Sequence, residues 1–277
     1  MRLIARGQRL KLQLALSFSC AFLLGATNLY AQPVTKAIAD AAAADAAVTA
    51  AEQATATATQ SLSAHARWRQ ELDAIAAADR AQPPPLEGVV FVGSSTIRLW
   101  PHLAQDFSQV PNVIQRGVGG STLAEHSVLE HQLVGQYKPR QVVVYAGDND
   151  LVEGQTPLQV LHSFARFANA VRADAPDARI TFISVKPSPS REKVLPQVRE
   201  TNNIVSAYLR TLSNSDYVDV FTPMLGANGR PRTELFRGDQ LHMNATGYAL
   251  WQSLIASHLV PPVSALATSP TAAAPPR

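Results

Sequence analysis

The residues of this chain best suited to chemistry sit in four short glycine-bearing stretches. They are Gly93-Ser94-Ser95-Thr96, Arg116-Gly117-Val118-Gly119-Gly120-Ser121-Thr122, Ala146-Gly147-Asp148-Asn149-Asp150 and Gly238-Asp239-Gln240-Leu241-His242. A serine that opens a helix directly after a strand keeps a free backbone N–H in the positive field of the helix end, which favours developing negative charge. Serine and threonine also simply cap helices, so Ser94, Ser95 and Thr96 taken alone fit either role. The second stretch lets a ligand approach the backbone closely or makes an ordinary tight turn. Its spacing does not fit a dinucleotide fingerprint. In the third stretch the Asn149 amide could add a donor to an oxyanion hole, or serve the turn. In the fourth, an aspartate three residues before a histidine can hold the imidazole by its Nδ1–H and stabilise the imidazolium.

These stretches gain weight from the elements that precede them. Val89–Val92, Val142–Tyr145, Ile180–Val185 and Tyr217–Val220 are short apolar runs, and Val113-Ile114 is a weaker one. Such runs suit strands buried on both faces of a parallel sheet. The intervening segments read as helices. Thr156-Pro157 is an N-cap followed by proline at the first helical position, Leu161, Phe164, Ala168 and Val171 form one face, and Pro176 ends the helix. Val198, Val205 and Leu212 mark a second face, and Asn244 caps a last helix carrying Trp251, Ile255 and Leu259. Strands alternating with helices predict a three-layer α/β/α domain with a five-stranded parallel sheet. Ligands bind at the carboxyl ends of such strands, where three of the four stretches fall.

The chain opens with Arg2, Arg6, Arg9 and Lys11, then an apolar run from Leu12 to Ala26, then Ala31 before an expected cut. This is the pattern of a secretory leader, and it predicts export to the periplasm or beyond. An uncleaved anchor and a lipid-modified Cys20 are the alternatives. Removing the leader takes four positive charges from a net +3 and leaves −1, so nothing points to nucleic acid. The same cut removes Cys20, the one cysteine, and with it any thiolate chemistry. No HExxH or comparable cluster suggests a metal, and no cofactor is expected. His126 and His131 are read as surface residues, because a five-residue offset turns them apart on a helix. No G-x-S-x-G elbow is present, which argues against an ordinary α/β-hydrolase.

Taken in order, GSST, RGVGG, GDND and DQLH resemble blocks I, II, III and V of the SGNH hydrolases, the GDSL-type esterases. FVGSSTIRLW, VVVYAGDND and LHMNATGYALW resemble an exported bacterial branch of that family, and the likeness runs from about Trp68 to Pro262. The resemblance implies a flavodoxin-like fold, with Ser95 as nucleophile, His242 as general base and Asp239 as its partner. It also implies an oxyanion hole from the N–H groups of Ser95 and Gly120 and the side-chain amide of Asn149. One departure is Ser94, where the family has the aspartate of its name. Arg191 could contact an anionic or sugar substrate or be a solvated loop charge. Trp100 and Leu99 could line an acyl pocket or belong to the core. The expected organisation is a signal peptide over 1–31, an alanine-rich helix or linker over 32–66, the hydrolase domain over 67–263 and a disordered tail over 264–277. The expected substrate is a small-molecule or glycan ester with a short acyl or acetyl group, with no membrane span once the leader is cut. Transfer of an acyl group to glycans, and glycan binding without catalysis, are the competing functions.

Overall fold

The structure, a computed structural model, describes residues 31–260. Residues 1–30 of the expected signal peptide and the expected tail over 264–277 lie outside the described residues. Two compact units are distinguished, one ending at Gln53 and the other beginning at Ala54. The alanine-rich stretch forms a single helix, α1 (Ala31–Arg67), which runs through that boundary. Alanine supplies the helix propensity, and the side chains from Ala46 to Thr59 are exposed. Among the described residues no helix is long and apolar enough to cross a membrane.

The second unit continues with α2 (Arg69–Ala81), ended by the triple proline Pro83–Pro85. Then come β1 (Val89–Gly93), α3 (Ser95–Arg98), α4 (Leu103–Asp106), β2 (Val113–Gly117), α5 (Leu123–Val128) and α6 (Glu130–Leu133). The chain goes on through β3 (Gln141–Tyr145), α7 (Asp148–Val152), α8 (Pro157–Asp174), β4 (Arg179–Ile183), α9 (Leu195–Leu209), β5 (Ser215–Val218) and α10 (Ala245–Ile255). The five strands are parallel, in the order β2-β1-β3-β4-β5. This is the five-stranded parallel sheet that the alternating pattern predicted, in the flavodoxin-like form that the family resemblance implied.

Because successive strand residues point to opposite faces, each strand feeds two cores. Val90, Val92, Val142, Val144, Ile180 and Phe182 pack with α5, α6, α8 and α9. Val89, Phe91, Val143, Tyr145 and Ile183 pack with α3, α4 and α10. All of these strand residues are fully buried, and each is worth roughly 1.5–3 kcal/mol of transfer free energy. Local sequence sets the helix starts. Thr122 and Thr156 close capping boxes with Glu125 and Gln159, and Asn244 Oδ1 accepts from Gly247 N at 3.1 Å.

The order reverses between β1 and β3, so the chain leaves these neighbours in opposite directions. That leaves a crevice at their carboxyl ends. Gly93 and Tyr145 are paired at the mouth of this crevice. A Cβ on Gly93 would lie 2.0 Å from the Tyr145 carbonyl oxygen, so only glycine permits the approach.

Candidate active site

Ser95 is the first residue of α3, directly beyond Gly93 and Ser94. The turn that presents it is held by backbone bonds. Ser94 N donates to Tyr145 O at 3.2 Å, while Ser94 O accepts from Ile97 N and Arg98 N, both at 3.1 Å. The Ser94 side chain, which replaces the family aspartate, is buried and its Oγ has no partner. The turn is therefore held without a side-chain hydrogen bond from position 94.

The fourth stretch forms a tight loop before α10. Asp239 Oδ1 accepts from Leu241 N at 3.0 Å and His242 N at 2.9 Å, and Arg237 N donates to His242 O at 2.8 Å. Asp239 Oδ2 lies 2.7 Å from His242 Nδ1, and His242 Nε2 lies 3.0 Å from Ser95 Oγ. Asp239 only accepts when ionised, which places the proton on Nδ1 and leaves the Nε2 lone pair for the serine hydroxyl. The N–H groups of Leu241 and His242, with the ring itself, hold the Asp239 carboxyl well below the usual carboxylate range. Although 147 residues separate them, Ser95 and His242 meet because α10 docks on α3. The Tyr248 hydroxyl donates to Thr96 O at 2.9 Å across that contact.

The glycine stretch after β2 folds back across the nucleophile turn, with Val118 N donating to Gly93 O at 2.8 Å. Gly120 has φ +87°, a left-handed conformation that suits glycine. The N–H groups of Ser95 and Gly120 have no partner among the described residues. Asn149 is 9% exposed, and its Nδ2 donates to Ser121 O at 2.9 Å, which ties the third stretch to the second. The ring of Trp68 closes on this loop, its Cη2 lying 3.7 Å from where a Cβ on Gly120 would sit. Trp68 stands between α1 and α2 and is 7% exposed.

The two aspartates of the third stretch diverge although only Asn149 separates them. Burial raises the Asp148 carboxyl, but Lys186 and Arg191 outweigh it and hold Asp148 below its ordinary range. Lys186 Nζ lies 3.2 Å from Asp148 Oδ2 and 3.1 Å from the Tyr145 hydroxyl, and burial pulls the ammonium down against the pull of Asp148. Asp150 has no such cation. Burial pushes its carboxyl up to about 7, although it accepts from Leu123 N at 3.0 and 3.1 Å and so caps α5.

One sequence expectation is corrected and two open ones are resolved. Of its two readings, pocket lining or core, Trp100 takes the core; it is 1% exposed among Phe91, Phe107, Tyr248 and Trp251, and its Nε1 donates to Asp106 Oδ2 at 2.6 Å. Arg191 is not a free loop charge, because its guanidinium is committed to Asp148 and Asn149. His126 is not a surface residue. It is buried, and its Nε2 lies 2.8 Å from Ser121 Oγ beneath the glycine stretch after β2. His131 is exposed and pairs with Asp174 at 2.6 Å. The sequence reading missed Lys186 and Tyr145, although Lys186 follows β4 at the end of the sheet where the site lies. Among the described residues no group of histidine and acidic side chains could hold a metal. A cavity of about 470 Å3, lined by Pro189, Glu192, Arg230 and Arg232 among others, contains none of Ser95, His242 or Asn149.

Among solved structures, the chain is similar to a GDSL-like lipase from Bacteroides thetaiotaomicron. The two share 23% identity with a TM-score of 0.59, over 68% of this chain and 96% of that one. It is also similar to a member of the lipolytic G-D-S-L family from Veillonella parvula, at 16% identity and TM-score 0.52, over 61% and 96%. A third is a carbohydrate esterase family 3 protein from Talaromyces cellulolyticus, at 17% identity and TM-score 0.51, over 62% and 96%. No curated protein sequence matches. The GDSL-like lipase/acylhydrolase family profile matches residues 86–250, more than half of the chain, a span that includes Ser95, Gly120, Asn149, Asp239 and His242. This chain belongs to the GDSL-like lipase/acylhydrolase family of SGNH hydrolases.

Proposed function

We propose that this protein is an exported serine esterase that cleaves carboxylic esters with short acyl or acetyl groups. The observation that carries the proposal is the Asp239–His242–Ser95 chain of contacts, at 2.7 and 3.0 Å, beside the N–H groups of Ser95 and Gly120, which have no partner among the described residues. Ser95 Oγ attacks the ester carbonyl while His242 Nε2 takes its proton. The carbonyl oxygen becomes an oxyanion and is met by the N–H groups of Ser95 and Gly120 and by Asn149 Nδ2. His242 returns the proton to the leaving alcohol. Water then attacks the acyl-serine by the same route in reverse, releasing the acid. Asp239 stays ionised throughout and stabilises the imidazolium. Export rests on the basic and apolar leader, and a small acyl group on the lack of a long apolar lid segment in the sequence.

The test is hydrolysis of p-nitrophenyl acetate together with fluorophosphonate labelling. Ser95→Ala is expected to abolish both while leaving the melting temperature unchanged. His242→Ala should lose roughly 10⁴-fold or more in kcat, and Asp239→Ala less, because orienting a base contributes less than being one. A Ser95→Ala variant with full turnover overturns the proposal.

A further inference from the structure

Arg191 stands at a kink within the short 3-10 segment Pro189–Val194 and divides its fork between two neighbours. Its Nη2 donates to Asn149 Oδ1 at 2.8 Å, and its Nη1 lies 2.9 Å from Asp148 Oδ2. The same segment is tied to the base loop, since Ser190 N donates to Gln240 O at 3.0 Å. A guanidinium only donates, so the Asn149 atom facing it is the oxygen. A carbonyl only accepts, so the atom facing Ser121 O is the nitrogen. Nδ2 carries two hydrogens. One goes to Ser121 O, and the other has no partner among the described residues.

We propose that Arg191 is a positioning residue that acts through Asn149, fixing the sense of the amide and strengthening Nδ2 as a donor to the substrate oxyanion. Charge balance explains why a cation stands there. Arg191 at 2.9 Å and Lys186 at 3.2 Å both flank Asp148, so these two cations exceed the one carboxylate between them, and the Arg191 end of that excess stands beside the Asn149 carbonyl in a poorly solvated site. That charge draws electron density toward Oδ1 and leaves the Nδ2 hydrogens more positive. Lysine would keep the charge but not the fork that spans both partners. The inference rests on the ester-hydrolysis reading for its consequence, while the hold of Arg191 on the amide does not.

The test is a cycle of Arg191→Gln, Asn149→Ala and the double variant, read by kcat and KM on p-nitrophenyl acetate and by the rate of fluorophosphonate labelling of Ser95. Asp148 keeps Lys186 in Arg191→Gln, so the fold is expected to persist. This variant should lower kcat and the labelling rate about tenfold to thirtyfold with KM within about threefold, on the scale of part of one oxyanion donor. In the Asn149→Ala background the same change should cost less than about twofold. Arg191→Lys should recover part of the loss. Equal losses in both backgrounds overturn the inference, as does a rise in KM alone, which would make Arg191 a substrate contact. A second readout needs no turnover. The side-chain amide pair of Asn149, identified in a ¹H–¹⁵N spectrum by its loss in Asn149→Ala, should shift in Arg191→Gln. An unmoved pair also overturns the inference. Failure of wild-type labelling with a shifted pair would instead sink the esterase reading.

Discussion

Replacing His126 by glutamine should reverse sign in its effect on stability as pH falls. Ser121 Oγ donates to Val118 O at 2.7 Å, so its lone pair receives a proton from His126 Nε2. Nδ1 is then the bare nitrogen, buried without a partner. A proton added there has no neighbour to accept it, and burial depresses the ring from 6.5 to about 4. The folded state thus prefers the neutral ring. The stability linked to this preference is fully present above pH 6.5 and is lost as pH falls toward 4. Linkage between these two values gives a loss of about 2 kcal/mol at pH 5 and about 3 kcal/mol at pH 4, relative to pH 8. Glutamine can still donate to Ser121 but does not titrate. At pH 8 it should cost about 1 kcal/mol through lost ring packing. By pH 4 the variant should be the more stable protein, by about 2 kcal/mol. Asp150 and Glu130 titrate in both proteins and cancel in the difference. Urea unfolding of both proteins at pH 8, 6, 5 and 4 measures it, with the melting temperature as a check at about 2–4 °C per kcal/mol. Stability curves that stay parallel from pH 8 to 4 would refute the buried neutral imidazole.

Glu130→Gln should show the opposite trend. Burial and the nearby Asp174 push the Glu130 carboxyl up to about 7, so wild-type stability from this group is present below pH 4.5 and lost as pH rises to 7; the variant should gain on wild type by up to about 3 kcal/mol above pH 7 in the same urea assay. Gly93→Ala should prevent folding or cost more than about 4 kcal/mol, since the new methyl would meet the Tyr145 carbonyl at 2.0 Å, and circular dichroism of the purified variant checks it.

The sheet was legible because a strand buried on both faces is written as a continuous apolar run, as in Val142 to Tyr145. The edge strand was less so. The run Tyr217–Val220 placed β5 two residues late, because Ser215 and Asp216 pair with β4 while half-buried. Ser95, Asn149, Asp239 and His242 could be picked out because each follows a strand or precedes a helix at the same end of the sheet. Gly120 came only with the family resemblance. The positions that misled depend on contacts distant in sequence or on local breaks. Arg191 meets Asn149 across 42 residues, which no local spacing encodes. The helical offset between His126 and His131 fails because α5 ends at Val128 and α6 begins at Glu130, so the two rings do not share one helix. Trp100 follows a four-residue helix, too short for a periodicity to show which way it faces.

Asp239 holds Leu241 and His242 through contacts only two or three residues long. The proposed base and its orienting carboxylate therefore form one local cassette. Its approach to Ser95 is long-range and goes with the seating of α10 on α3. If Ser95 is the nucleophile as proposed, turnover would report on that seating. A lesion in the α10 interface, at Tyr248 or Trp251 for example, would then lower turnover while leaving Ser95, His242 and Asp239 intact.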